Sequence, residues 1–89
     1  MNPIQVNYTD KELRILIEEF IVMQRSEFSF KSLCSYILYR AMEEERTVGK
    51  CLYDSNQLEQ KDSERIGAIL DKIVSEGRIE KNKTIFIKK

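Results

Sequence analysis

Among the side chains in these 89 residues that could do chemistry, the basic ones are placed most informatively. There is no histidine, so the chain lacks the commonest general base near neutral pH and any partner for a Cys–His or Ser–His nucleophile. Cys34 and Cys51 are too few for a disulfide framework, and without histidine they fall short of a zinc ligand set. Cys34 lies on an apolar helical face, where a free thiol packs as a small hydrophobe. The carboxylates come as immediate neighbours, Glu18 with Glu19 and Glu43 with Glu44 and Glu45. Adjacent residues diverge around a helix, so such pairs cannot flank one substrate atom. Ser32, Ser35 and Ser63 read as capping or solvated hydroxyls, and no glycine-rich phosphate loop is present. The expectation is a non-enzymatic protein with no cofactor and no metal. Positive charge is what remains. Arg78, Lys81, Lys83, Lys88 and Lys89 face only Glu80 over 78–89, a net +4, in a chain whose 15 basic and 15 acidic residues cancel. Residues 1–77 therefore carry −4. A charge run is usually a solvated face, but a basic terminal segment on a neutral body also suits local contact with phosphate.

The elements that must position these lysines are a helix and a ribbon. Ile66, Ile69, Leu70, Ile73 and Val74 recur at helical spacing, which predicts a helix starting near Asp62 or Ser63 with these residues inward. Its outward face is then centred on Glu64, Ala68, Asp71 and Ser75, with Lys61, Arg65 and Lys72 toward one flank. Gly77 follows as the residue that ends the helix in a left-handed conformation. Gly67 inside the helix costs about 1 kcal/mol relative to alanine and predicts a close approach, first of all packing against the first or second helix. Two short β-prone runs flank Lys81, Asn82 and Lys83, a polar turn with Asn82 available for positive φ. A two-residue turn at Asn82-Lys83 would set Ile79 opposite Phe86. A three-residue turn over 81–83 would pair Ile79 with Ile85 and put Ile87 on the same face. The second register gathers three isoleucines toward the core, so burial should select it and turn Phe86 outward or under another element.

Upstream, Ile4–Tyr8 suits an extended piece and Thr9-Asp10-Lys11-Glu12 a capping box, with Tyr8 and Leu13 at the staple positions. The first helix, to about Gln24, aligns Leu13, Leu16, Ile17, Phe20 and Met23 or Gln24. Ile15 and Val22 lie off that stripe, which predicts burial on a second side, with a dimer contact as the alternative. Ser29 can cap a second helix to roughly Glu45, whose stripe is Phe30, Leu33, Cys34, Ile37, Leu38 and Ala41. Glutamates at 43–45 oppose the helix dipole, so the helix should end early or be compensated by Arg40 and Arg46. Gly49 marks a break. A short strand over 48–53 and a short helix capped at Asp54 or Ser55 are the readings for the stretch before the third helix. No run approaches the roughly 18 apolar residues of a membrane span. The N-terminus lacks the pattern of a signal peptide, so a cytoplasmic protein is expected.

This order, with a helix running through E-G-x-I into a terminal hairpin, resembles the third helix and wing of winged helix-turn-helix domains. The resemblance implies one domain over 1–89, mainly α with a small antiparallel β-hairpin (α+β), with three or four helices and a C-terminal wing. It implies a transcriptional regulator or DNA-associated factor whose third helix enters the major groove of double-stranded DNA while the wing touches the backbone. Carried over by position, the groove-facing residues would be Lys61, Ser63, Glu64, Arg65, Ala68 and Lys72, and the wing tip Lys81, Asn82 and Lys83. Phosphate contacts by Lys61, Arg65, Lys81 and Lys83 would neutralise about four charges. The chain departs from the resemblance at Glu64 and Asp71, where a reading face should be basic. The alternative is a protein-interaction module in a larger assembly, supported by zero net charge, Glu43–Glu45 and the surplus apolar Ile15, Val22 and Phe86. A homodimer through the first helix is the oligomer expected. A continuous positive strip from wing to helix flank would favour DNA; carboxylates interrupting it would favour a protein partner.

Overall fold

The computed structural model describes residues 4–48 and 58–89. In chain order these form β1 (Gln5–Val6), α1 (Asp10–Met23), β2 (Glu27–Ser29), α2 (Phe30–Glu43), β3 (Thr47–Val48), α3 (Gln60–Ser75), β4 (Ile79–Asn82) and β5 (Ile85–Lys88). Among the described residues this is an α+β arrangement of three helices with small antiparallel sheets. The expected strand over 48–53 and the helix capped at Asp54 or Ser55 fall, apart from Val48, outside the described residues, as do Gly49 and Cys51.

Helix ends follow local chemistry. The Glu12 amide donates to Thr9 Oγ1 at 3.2 Å, and the Thr9 amide donates to the Glu12 carboxylate at 2.9 Å, closing the capping box of α1. Tyr8 and Leu13 are both buried across that cap. Ser29 accepts from the Ser32 amide at 3.1 Å and starts α2. The conflict at the end of α2 is met in both foreseen ways. The helix stops at Glu43, Glu45 turns left-handed at φ 57, and Arg40 lies along the last turn with Glu44 at 2.7 Å. Gly77 terminates α3 at φ 82, its amide donating to the Val74 carbonyl at 3.0 Å.

The core lies where the three helices meet β4. Leu13 and Ile17 of α1, Leu33 and Ile37 of α2, and Ile66, Leu70 and Ile73 of α3 close on Ile79, each less than 2% exposed. In α1 the stripe widens to Ile21 rather than to a second side. Ile15 and Val22 stay 50% and 73% exposed, which overturns the expectation that they are buried.

The C-terminal ribbon takes neither register read from its own residues. The turn is Lys83-Thr84, so Asn82 pairs with Ile85, Lys81 with Phe86 and Ile79 with Lys88. Positive φ falls on Lys83, at 59°, rather than on Asn82. Ile79 and Phe86 share the buried face, while Ile85 and Ile87 lie half-buried on the other. The cause is β2, an unforeseen strand that places Phe28 opposite Phe86 and gives the sheet order β2-β5-β4. Phe28 stacks on Phe86 with centroids 5.5 Å apart and meets Phe20 edge-on at 5.3 Å, and Phe20 in turn packs on Tyr36 at 5.2 Å. The Phe28–Phe86 pair, the one set by the ribbon register, contributes roughly 0.5–1.5 kcal/mol beyond area burial and adds to the burial of the Phe86 ring itself, while Ile85 and Ile87 stay half-buried in the observed register.

The N-terminal segment joins the remaining ends. β1 pairs with β3, and Ile4 bridges Leu58 while its carbonyl accepts the Glu59 amide at 2.9 Å. This contact extends α3 to Gln60, ahead of the expected start. Asp62, in the first turn of α3 and 3% exposed, accepts the Val6 amide at 2.9 Å and Arg65 Nη1 at 3.1 Å. Removing a buried carboxylate that satisfies a backbone amide and a guanidinium should cost about 3 kcal/mol. Urea unfolding of Asp62→Ala should show that loss, and Asp62→Asn, which keeps an acceptor, a smaller one. A cycle with Arg65→Ala should show coupling of about 1 kcal/mol or more.

Titration defines a second expectation. The Glu12, Glu44 and Glu76 carboxyls are held below their ordinary 4.5, chiefly by hydrogen bonds from the Thr9 amide, the Tyr8 hydroxyl and Arg14 respectively. Their folded values lie below the unfolded ones, so their contribution is complete above that range and lost as pH falls through it. Burial pushes the Cys34 thiol from 9.0 up to about 11, and burial followed by the hydrogen bond to Glu44 raises the Tyr8 hydroxyl. Here the folded value lies above the unfolded one, so the contribution is complete at lower pH and lost on the alkaline side. Thermal unfolding midpoints should plateau from roughly pH 5 to pH 8 and fall on both sides, and Cys34→Ala should lessen the alkaline decline.

Candidate nucleic-acid interface

α3 presents the residues that its periodicity assigned outward. Lys61, Glu64, Ala68, Asp71, Lys72 and Ser75 are exposed. Ser63 is half-buried and lies near the Cys34 thiol of α2. Glu64 accepts from Gln60 Nε2 at 3.4 Å. The hairpin turn brings out Lys81, Asn82 and Lys83, all exposed.

Arg65 is placed differently from the other predicted site residues. Its Nε donates to Asp10 Oδ1 at 2.9 Å, Nη1 to Asp62 at 3.1 Å and Nη2 to the Tyr8 carbonyl at 2.6 Å. The side chain is half-buried and ties α3 to the residues that lead into α1. No signal local to α3 announces this, because its partners Tyr8 and Asp10 stand 57 and 55 residues away.

Two clefts flank the exposed ridge of α3. One, of about 360 Å³, runs between α1 and α3, where Lys11 and Arg14 join Ala68 and Lys72 beside Asp10. The other, of about 350 Å³, lies between α3 and the hairpin, with Phe30, Gly67 and Phe86 beneath Asp71, Lys81 and Lys83. Lys72 and the hairpin lysines thus line different clefts, with exposed carboxylates at Glu64 and Asp71 on the helix between. The positive strip is interrupted. Sequence reasoning left Phe30, Thr84 and Lys11 out of the site, since the clefts that they line are formed between elements distant in the chain.

The cations divide by type. Arg14, Arg40, Arg46, Arg65 and Arg78, five of the six arginines, form ion pairs. Arg14 bonds Glu76 at 2.7 Å, Arg46 bonds Glu12 at 2.7 Å, and Arg78 pairs with Glu18. Among the described residues no lysine forms an ion pair. Lys88 Nζ donates to the Gln24 carbonyl at 2.9 Å and Lys81 Nζ stands 6.0 Å from the Phe86 ring centre, but Lys61, Lys72 and Lys83 remain open to solvent.

Comparison with protein-family models, with curated proteins and with solved structures returned no match. The chemistry of the surface therefore rests on its own geometry. No helix among the described residues is long and apolar enough to cross a membrane, and no cluster of three or more potential metal-ligating side chains occurs among them.

Gly67 is held less tightly than its sequence position suggested. A Cβ built there would stand 3.8 Å from the Phe30 ring, in ordinary contact and with no backbone nearby. Helix packing against the start of α2 is therefore its environment, as expected, but closeness of backbones is not. Gly67→Ala should raise stability by roughly 0.5–1 kcal/mol, moving the melting midpoint up by about 4 °C. A drop in midpoint would show that α3 and α2 approach more closely than these distances indicate.

Proposed function

We propose that the chain is a winged-helix domain that binds duplex DNA through lysine–phosphate contacts, as a transcriptional regulator or DNA-associated accessory factor. What supports the fold reading is the order α1-β2-α2-α3-β4-β5 with sheet order β2-β5-β4, in which β4 and β5 are the wing strands. What carries the functional reading is the division of the cations: five of the six arginines neutralised within the fold, lysines left open on the wing and on α3. Lys83 adds weight. It holds φ 59 at the turn, a conformation that disfavours a non-glycine residue by roughly 1–2 kcal/mol. Glycine or asparagine would be easier there, and neither would carry a charge.

Glu64 and Asp71 set the limit of this binding. On the ridge of α3 they repel phosphate, so the helix is poorly suited to deep insertion, and Arg65 acts as an internal clamp rather than as a base reader. The contact is therefore centred on the wing and largely independent of sequence, with Lys61 and Lys72 assisting. Four lysine–phosphate contacts give a slope of log affinity against log salt of about −3.6.

A second reading, contact with a protein partner, has two observations of its own, and the first is that Glu64 and Asp71 interrupt the positive strip, the outcome expected for a protein partner. Second, Ile15, Val22 and Met23 are 50%, 73% and 58% exposed along a groove between α1 and α2 that also includes Tyr36 and Arg40. An apolar surface of this kind suits a protein partner or a second copy of the chain meeting through α1. Sedimentation with and without random duplex DNA, at low and high salt, separates the two. Binding at low salt, weakened evenly across sequences by Lys81→Ala with Lys83→Ala and with the salt slope reduced by about 2, is the expected result. Unchanged affinity in that double variant removes the wing from the interaction. No shift with DNA, together with a concentration-dependent gain in mass, selects the protein-contact reading.

A further inference from the structure

The cleft between α3 and the hairpin is shaped for more than phosphate. Its lower part is aromatic and apolar, with the half-buried Phe30 ring and buried Phe86. Gly67 contributes no side chain to the cleft, where a Cβ would stand 3.8 Å from Cε1 and Cζ at the edge of the Phe30 ring. Lys81 and Lys83 line the cleft from the hairpin and Asp71 from the helix, and the volume is about 350 Å³. A phosphate alone would use the two ammonium groups and gain nothing from the rings, while the carboxylate would oppose it. A flat ring carrying both an amino donor and a phosphate would use all three features.

We propose that this cleft receives an unpaired nucleobase of a single-stranded tail or junction, stacked on Phe30, with its flanking phosphates at Lys81 and Lys83. Asp71 accepts the exocyclic amino hydrogen of cytosine, adenine or guanine; thymine presents a carbonyl oxygen there instead and is disfavoured. This inference rests on the nucleic-acid reading and deepens it. It also gives Asp71 a role, since a carboxylate that weakens duplex binding becomes a selective contact once a base is present. Stacking of a base on an aromatic side chain contributes enough to raise affinity about tenfold.

Fluorescence anisotropy on three probes tests it: a blunt duplex, the same duplex with a six-nucleotide deoxycytidine tail, and the same duplex with a thymidine tail. The intact protein should bind the cytidine-tailed probe about tenfold more tightly than the blunt one, with the thymidine tail in between. Gly67→Leu, which fills the cleft from a half-buried helix position, should erase the tail advantage and leave blunt-duplex affinity in place. Asp71→Asn should bring the two tails together. Equal binding of all three probes by the intact protein overturns the cleft assignment while leaving the duplex reading intact. Failure to bind any of them at low salt overturns both. A tail advantage that persists in Gly67→Leu also overturns the assignment, because the tail must then lie elsewhere.

Discussion

Asp62 is the residue through which the separate parts of this fold become one body. A carboxylate 3% exposed needs partners for its lone pairs, and it takes the Val6 amide from β1 and the Arg65 guanidinium from its own helix. Arg65 then reaches the Tyr8 carbonyl and Asp10, so one buried charge fixes the N-terminal strand, the cap of α1 and the first turn of α3 together. Tyr8 extends the chain of contacts, donating from its hydroxyl to Glu44 at 2.7 Å with Arg46 5.0 Å above its ring. Arg46 returns to Asn7 and Glu12. The ends of α1, α2 and α3 are thereby joined by hydrogen bonds whose geometry is specific, where apolar packing alone would allow them to slide. Bonds of this kind to a charged group are worth roughly twice a neutral one.

That latch decides the chemistry of the surface as much as the stability of the interior. Arginine carries a planar fork able to read a guanine edge, and lysine a single point charge. The fold uses the forks to join elements: Arg65 at the latch, Arg14 and Arg78 to tie α1 to the end of α3 and the start of β4, Arg40 and Arg46 to close α2 on α1. What reaches solvent on α3 and the hairpin is lysine. In the proposed function such a surface would favour phosphate without reading sequence, and this would follow from where the carboxylate partners lie rather than from how many cations the chain has.

The sequence revealed whatever is determined within a few residues. The Thr9–Glu12 box, the Ser29 cap and the Gly77 stop all depend on neighbours no more than three positions away, and all are found where composition put them. The outward face of α3 was legible for the same reason, since a helix converts spacing directly into direction. The ribbon was not. Its register depends on β2, and nothing within 78–89 reports that Phe28 will lie beside Phe86. Counting isoleucines picked the face with more of them, whereas the pairing of Phe86 with Phe28 picked the other. Arg65 failed to be legible in the same way: a helical wheel gives a side chain its flank but not the distant carbonyl that captures it. Lys81 and Lys83 were legible because a polar turn remains exposed in either register.

The two readings of the surface do not compete for residues. Ile15, Val22 and Met23 lie on the side of α1 turned away from the core stripe, beside Tyr36 of α2, and none of them borders the clefts that the lysines line. Glu18 and Glu19, which border the α1–α2 groove, are already matched by Arg78 and Arg40, so a second copy approaching that groove would meet little unpaired charge. Under the proposed function, four lysines on one chain would hold duplex weakly, because each contact is screened and none is shape-selective. Pairing through α1 would double the number of phosphate contacts on one duplex and convert the second contact into an intramolecular event. An apolar face that by itself suggests a protein partner is therefore also what a weak phosphate-binding module would need to hold DNA at physiological salt. Under the proposed function, the exposure of Ile15 and Val22 and of Lys81 and Lys83 would be two parts of a single physical requirement.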